Sequence, residues 1–243
     1  MFYQKDFRID NLVNGKRLAI VGPSSHLVGK NLGEYIDEYD VVCRVNDIRV
    51  DKREKDYGGR IDICFHCCNG LYLPAIKEKM IESEKLLKEN NVLFVIPKIK
   101  ARYDGVGNIL DNFNSVNIYN LPFSWIGNNN YYFFENQIGC EPNTGIISIA
   151  MLLEYDIKEL FVTGFSFYSE YLKNNDYCDC YYSYEDYCKN KLYPLTSNPF
   201  EGHNQYKQID YFKNLLEKNE KRIKIDSYLK ELLNLNHSNV KKI

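Results

Sequence analysis

The chain has little of several things that would fix its class at once. It holds one tryptophan and three methionines, no extended lysine/arginine run, and a formal charge of only −2. Without a basic surface, nucleic acid is not an expected partner. No apolar stretch approaches the roughly 20 residues of a membrane span. The N-terminal MFYQKDFRIDNLVNGKR is charged throughout and lacks the apolar region of a secretory signal. Together these absences predict a cytoplasmic protein without a membrane span; its oligomeric state stays open. A G-x-G-x-x-G fingerprint is also missing, because Ser24 and Leu27 stand where glycines are needed. So is an Asp-x-Asp at a strand end, of the type that holds a divalent cation on a nucleotide diphosphate. Cysteine is present but irregular: Cys43, Cys64, Cys67, Cys68, Cys140, Cys178, Cys180 and Cys188. Cys43 and Cys64 lie in apolar runs and read as small core residues, and a reducing compartment is the simpler inference. Cys178, Cys180 and Cys188 with His203 would make four soft ligands, but C-x-C-x7-C is not a common zinc spacing. No metal is expected.

What is present suits a globular α/β protein. Hydrophobic residues make up 44% and charged residues 26% of 243 positions, enough for one large domain with a real core. We read residues 1–243 as that domain. Tyrosine is abundant, at 21 residues, with many between Tyr168 and Tyr193; aromatic faces with hydroxyl tips suit sugars and nucleotides, though compositional drift gives the same count. Apolar runs bounded by turn residues predict strands near Arg17–Val21, Asp40–Val45, Ile61–Cys67, Val92–Ile96, Val116–Tyr119, Glu159–Gly164 and Ile223–Ile225. Helical spacing predicts helices over Ala75–Glu89, Thr144–Glu154 and Tyr206–Leu216, the last with Tyr206, Ile209, Phe212 and Leu216 on one stripe. Ser227 is the expected N-cap of a helix over Tyr228–Leu235. Strands alternating with helices imply a mostly parallel, twisted, Rossmann-like sheet with helices on both faces. Two segments break the pattern: Pro122–Gln137, an Asn- and aromatic-rich loop, and residues 169–202, a lid or acceptor loop.

Three places could carry chemistry. In Leu18–Asn46 an apolar run enters Gly22-Pro23-Ser24-Ser25, and a spacer with Gly29 and Gly33 leads to Arg44-Val45-Asn46. Backbone N–H groups and two hydroxyls at a strand end can cradle a phosphate; an ordinary βα turn is the plainer alternative. In Pro142-Asn143-Thr144-Gly145 a helix opens after a glycine-containing turn, so free N–H groups and the positive dipole end face outward. At Gly202-His203 a histidine precedes an amphipathic helix, whose dipole favours the neutral imidazole that a general base requires. Of the other histidines, His26 sits in the first turn, His66 beside Cys67-Cys68 and His237 in a polar tail.

These segments resemble the sialyltransferases. Leu18–Asn46 is similar to their long motif, Val-Val-Gly-Asn-Ser-Gly-Asn-Leu, then Gly-x-x-x-Gly-x-x-Ile-Asp, then Asp-x-Val-x-Arg-x-Asn. Pro142–Gly145 and the following ELFVTGF resemble the short motif, Pro-Ser-Thr-Gly, an apolar helix and a strand ending Tyr-Gly-Phe. The very short motif is a histidine followed, across four residues, by a glutamate; here those positions are His203 and Gln208. Phe-Glu-Gly-His also resembles the Gly-His of small bacterial sialyltransferases, and Phe167-Tyr168 resembles the Phe-Tyr that gives them a phenol at the leaving phosphate. Pro23 and His26 depart from the family's two asparagines. The resemblance spans roughly Leu18–Leu216.

It implies a variant of the glycosyltransferase A fold and an inverting, metal-independent transfer of sialic acid, or a related acidic sugar, from a CMP-sugar. His203 would be the base, with Tyr168 and Tyr171 on the leaving phosphate. Gly22, Pro23, Ser24, Ser25, Asn46, Asn143, Thr144, Gly145, Gly164 and Phe165 would hold the nucleotide. The implied partners are the CMP-sugar and a glycan or glycolipid acceptor, with no other cofactor. A non-catalytic nucleotide- or sugar-binding relative and an NAD(P)-binding oxidoreductase are the alternatives.

Overall fold

A computed structural model describes residues 2–48, 53–68, 73–99, 109–167 and 204–233. Its first half runs α1 (Phe7–Val13), β1 (Arg17–Val21), α2 (Gly33–Asp37), β2 (Val41–Val45), α3 (Glu54–Tyr57), β3 (Ile63–Phe65), α4 (Leu73–Glu82), α5 (Glu84–Glu89) and β4 (Leu93–Ile96). There follow α6 (Ile109–Val116), β5 (Phe123–Trp125), α7 (Gly127–Ile138), α8 (Thr144–Leu153), β6 (Glu159–Thr163), α9 (Gln205–Lys218), β7 (Ile223–Ile225) and α10 (Ser227–Leu232). The strands form one seven-stranded sheet in the order β5-β4-β3-β2-β1-β6-β7. Every pairing is parallel. The α/β class expected from the sequence is what the chain adopts.

Side chains of a strand point alternately to opposite faces, so a sheet covered on both sides needs apolar residues at every position. β1 meets that demand. Leu18 and Ile20 join a core with α1, α7, α8 and α9, while Ala19 and Val21 face Leu27, Ile36, Tyr39 and Tyr57 on the other side. A third cluster seals the far end of the sheet, where Cys64, Phe94 and Ile96 meet Met80, Leu87 and Phe113. Helix α8, apolar nearly all round in sequence, is buried along its whole length. Helix α1 is short and has no sequence signature beyond Ile9 and Val13 four apart; both are buried, and the Asp6 side chain caps it by accepting from Arg8 N.

Several sequence expectations need correction. Val116–Tyr119 is not a strand. Ile109, Phe113 and Val116 share one helical face in α6, and the chain then turns as Asn117 exchanges two hydrogen bonds with the Leu121 backbone. The fifth strand is instead Phe123–Trp125, on the sheet edge beside β4. Pro122–Gln137 is therefore not a loop. It holds β5 and α7, which buries Tyr131, Phe134 and Ile138 and turns Asn128 and Asn129 to solvent. The helix expected over Ala75–Glu89 is two, separated at Ser83, whose backbone leaves the helical region. Asp226, not Ser227, caps α10, because its side chain accepts from Leu229 N at 2.8 Å. On α9, Tyr206 is exposed; Gln205, Gln208 and Phe212 are the buried residues. The segment 169–202 lies outside the described residues.

Candidate functional site

Because all strands run parallel, their C-terminal ends share one edge, and the helices that return antiparallel to them start at that same edge. The strand order reverses at β1, with β2 to β5 on one side and β6 and β7 on the other. Open α/β sheets bind ligands at such a reversal, outside the C-terminal strand ends. Here the reversal is flanked by the turns after β1 and β6 and by the start of α8.

The two strand-end turns are locked together. Gly22 N donates to Thr163 O at 2.8 Å, and Ser24 N donates to Gly164 O at 2.9 Å. A Cβ on Gly22 would collide with the Gly164 carbonyl, and one on Gly164 with the Gly22 carbonyl; Gly164 also takes φ +75°. Both positions therefore require glycine. The Phe165 ring fills the next space: a Cβ on Gly145 would come within 2.6 Å of it, and one on Gly22 within 3.1 Å. One aromatic ring thus sets the separation of the first turn from the start of α8.

That start is carefully tied. The Asn143 side chain caps α8 by accepting from Ile146 N at 2.8 Å, and Asn143 N donates to Gln208 Oε1 of α9 at 2.8 Å. Lys98, beyond β4, donates to Pro142 O and pairs with Glu141 at 3.6 Å. Thr144 and Gly145 are buried in the first turn of the helix, where the N–H groups lack intrahelical partners and the dipole favours an anion.

The first turn is held from below. Tyr57 Oη donates to Ser24 O at 2.7 Å. His26 Nδ1 lies 2.9 Å from Ser24 Oγ and His26 Nε2 lies 3.2 Å from Asp226 Oδ2, while the imidazole stacks on Tyr228 at 3.9 Å between centroids. Pro23 and Ser25 are partly exposed beside them.

Asn46 ends β2 in the left-handed region, φ 60°, which asparagine tolerates. Its Oδ1 accepts from Cys67 N at 2.8 Å, so the amide nitrogen is the part able to donate elsewhere. The preceding Arg44 is fully buried and donates to the carbonyls of Tyr57, Gly58 and Arg60, bracing the loop before β3. Burial pulls its guanidinium below the usual range, against the pull of Asp47 and Asp37. Burial, with Lys79 nearby, pushes His66 down to about 3. His66 is therefore neutral, accepts from Cys68 N at 3.0 Å, and is far too weak a base to take a hydroxyl proton at neutral pH.

Residues 10–103 match the family model of glycosyltransferase family 29, the sialyltransferases. That stretch, under half of the chain, is similar in sequence to the sialyltransferases. Its fold is similar to that of the sialyltransferase CstII from Campylobacter jejuni in complex with a substrate analogue, CMP-3FNeuAc, with TM-score 0.57 and 15% identity over 91% of this chain and 89% of that one. It is also similar to a mammalian sialyltransferase in complex with Gal-beta-1-3GalNAc-ortho-nitrophenol, with TM-score 0.51 and 18% identity over 88% and 71% of the two chains. No curated protein matches it. At these identities the structural likeness speaks for the fold alone, and the sequence likeness to the sialyltransferases is carried by residues 10–103.

Of the residues expected at the sialyltransferase site, Gly22, Pro23, Ser24, Ser25, Asn143, Thr144, Gly145, Gly164 and Phe165 gather around the reversal point, and Asn46 lies at the same edge one strand away. Tyr168, Tyr171 and His203 lie outside the described residues, as do Cys178, Cys180 and Cys188. Asn204, directly after His203, caps α9 by accepting from Lys207 N. Among the described residues no three His, Cys, Asp or Glu side chains converge as a metal site, and no helix is long and apolar enough to cross a membrane. Sequence reasoning missed the roles of Gln208 and Asp226. Gln208 had a signal, its place in the very short motif; Asp226 is 200 residues from its partner His26, and no local pattern links them.

Proposed function

We propose that this protein transfers sialic acid, or a related acidic sugar, from a CMP-linked donor to a hydroxyl of a glycan or glycolipid, with inversion and without a metal ion. The observation that carries this reading is the junction of the two motif turns: Gly22–Ser25 and Asn143–Gly145 flank a single Phe165 ring at the point where the strand order reverses. A phosphate seated there would meet backbone N–H groups, the hydroxyls of Ser24 and Ser25, and the N-terminus of α8. Asn46 would add an amide for the nucleotide. The substrate analogue in the CstII complex, CMP-3FNeuAc, is itself CMP-linked, which supports this reading.

The reaction follows from the resemblance. His203 takes the proton of the acceptor hydroxyl, the oxygen attacks the anomeric carbon through an oxocarbenium-like state, and the CMP phosphate leaves from the opposite face. Tyr168, with Tyr171, donates hydrogen bonds to the departing phosphate. A single displacement of this kind inverts the anomeric centre. A monophosphate leaving group carries less charge than a diphosphate, and hydroxyl and amide donors can stabilise it without a cation.

A thermal-shift comparison tests the donor class. CMP should stabilise the protein more than UMP, AMP or NAD at equal concentration, by about 2.7 kcal/mol at 100 times its Kd. Equal shifts with every nucleotide, or a shift with NAD alone, would refute the reading. EDTA should leave both transfer activity and melting temperature unchanged; loss of activity restored by Mn²⁺ would refute metal independence.

A further inference from the structure

Ser24, His26 and Asp226 form a continuous hydrogen-bonded chain beneath the first turn. The His26 and Asp226 side chains are 6% and 5% exposed, so neither is screened by solvent. Asp226 receives only donors. Leu229 N meets Oδ1, while Thr163 Oγ1 at 2.7 Å, Gly164 N at 3.3 Å and His26 Nε2 at 3.2 Å meet Oδ2. Burial raises this carboxyl, but the hydrogen bond and the charge interaction with His26, together with the bonds from Leu229 and Thr163, outweigh it and hold it below the usual carboxylate range. An ionised Asp226 accepts only, so the facing Nε2 carries the hydrogen.

The other ring nitrogen then has two states. In neutral His26, Nδ1 is bare and accepts the Ser24 hydroxyl proton, which leaves the serine oxygen with only lone pairs for anything seated in the turn. In protonated His26, Nδ1–H donates to Ser24 Oγ, and the serine proton is free to point into the turn. An anion rejects the first arrangement and is satisfied by the second. Ser24 is buried at the base of the turn, so water does not relieve the mismatch.

We propose that Asp226 and His26 are positioning residues that set the direction of the Ser24 hydroxyl, so that an anion is bound in the Gly22–Ser25 turn together with one proton on His26. The proton comes from solvent, and no heavy-atom bond changes. Among the described residues, the groups facing the imidazole are Ser24 from its own turn and Asp226 and the Tyr228 ring from the start of α10, with the Thr163 hydroxyl of β6 behind Asp226. The inference rests on the reading that this turn holds the donor's phosphate.

Titration calorimetry of the full chain with CMP, from pH 5 to 8 in two buffers of different protonation enthalpy, tests it. The wild type should take up as much as one proton more than His26→Gln on binding CMP, and the ratio of their affinities should fall with rising pH by up to tenfold per unit. The phosphate's own titration is common to both proteins and cancels in that ratio. Glutamine at position 26 can still bridge Ser24 and Asp226 but cannot gain a charge. Ser24→Ala, which leaves the His26–Asp226 pair in place, should lose the extra proton in the same way. Cytidine, which has no phosphate, should show no difference between wild type and variants. Proton uptake and pH dependence identical in the wild type and either folded variant overturn the inference while leaving CMP binding intact. Failure of CMP to bind the wild type overturns the donor reading itself and the inference with it.

Discussion

Gln208 of α9 accepts the backbone N–H of Asn143 at 2.8 Å, and so ties the helix that follows His203 to the cap of the helix that starts at Thr144. Gln208 is fully buried, and its Nε2 has no hydrogen-bond partner among the described residues. An unpaired buried amide is costly. Its retention makes sense if the Oε1 bond fixes the approach of α9 to the proposed nucleotide turn.

Gln208→Leu should therefore have opposite effects on the two ends of the side chain. It removes the orphaned Nε2 but strands Asn143 N–H, and leaving that donor unpaired should cost about 1–3 kcal/mol. We expect a lower urea midpoint with unchanged m-value, and weaker CMP binding. A variant as stable and as tight-binding as the wild type would show that the strut is dispensable.

The Gly22–Gly164 contact gives a sharper test of packing. Gly22→Ala drives a methyl group into the Gly164 backbone, which has no rotamer with which to yield. We expect a loss of about 2–3 kcal/mol or more. Gly29 offers the contrast: its φ is +78° but no atom of the described residues lies within 4 Å of a Cβ there, so Gly29→Ala should cost only about 1 kcal/mol of backbone strain. Equal losses at the two positions would contradict the packing argument.

Much of the fold was legible because parallel strands buried on both faces read as plain apolar runs. β1 and β7 fall where the sequence places them, and β6 ends one residue early, at Thr163. Edge strand β5 was not legible. It has three residues, with Trp125 exposed, and its neighbour Val116–Tyr119 looked more strand-like than it did. On α9 the apolar stripe holds at Ile209, Phe212 and Leu216, which pack on the core, and misled only at Tyr206, because the first turn of the buried face carries Gln205 and Gln208 instead. The glycine turns announced themselves by composition. Asp226 did not, since Asp-Ser offers two adjacent caps and only the distant His26 and Thr163 decide between them.

Asp226 should also make the fold acid-sensitive in a defined way. Its folded carboxyl is held below the ordinary value of about 3.9. A depressed folded pKa contributes stability that is present above the unfolded pKa and is lost as pH falls through the folded one. The difference in melting temperature between wild type and Asp226→Asn should thus be largest above about pH 5 and should narrow below about pH 4. A difference that is constant from pH 3 to 6 would mean that the carboxylate's charge is not what the wild type uses.

The last prediction separates transfer chemistry from nucleotide binding. If His203 is the base, His203→Ala should lower the transfer rate by about 10²–10⁴-fold while CMP affinity stays nearly unchanged. On the proposed reading the base would meet the acceptor hydroxyl, whereas the turns around Gly22 and Thr144 would hold the nucleotide. Tyr168→Phe should weaken both, because a phenol that donates to the leaving phosphate also contacts product CMP. Among the described residues, α9 is held by its cap Asn204 and by the buried Gln205, Gln208 and Phe212. Circular dichroism and melting temperature should therefore match the wild type, which makes the rate comparison clean. A folded His203→Ala protein with full transfer activity would remove His203 from the mechanism. His66, with its imidazole pushed down to about 3, could not replace it, and the remaining candidate at the sheet edge would be His26.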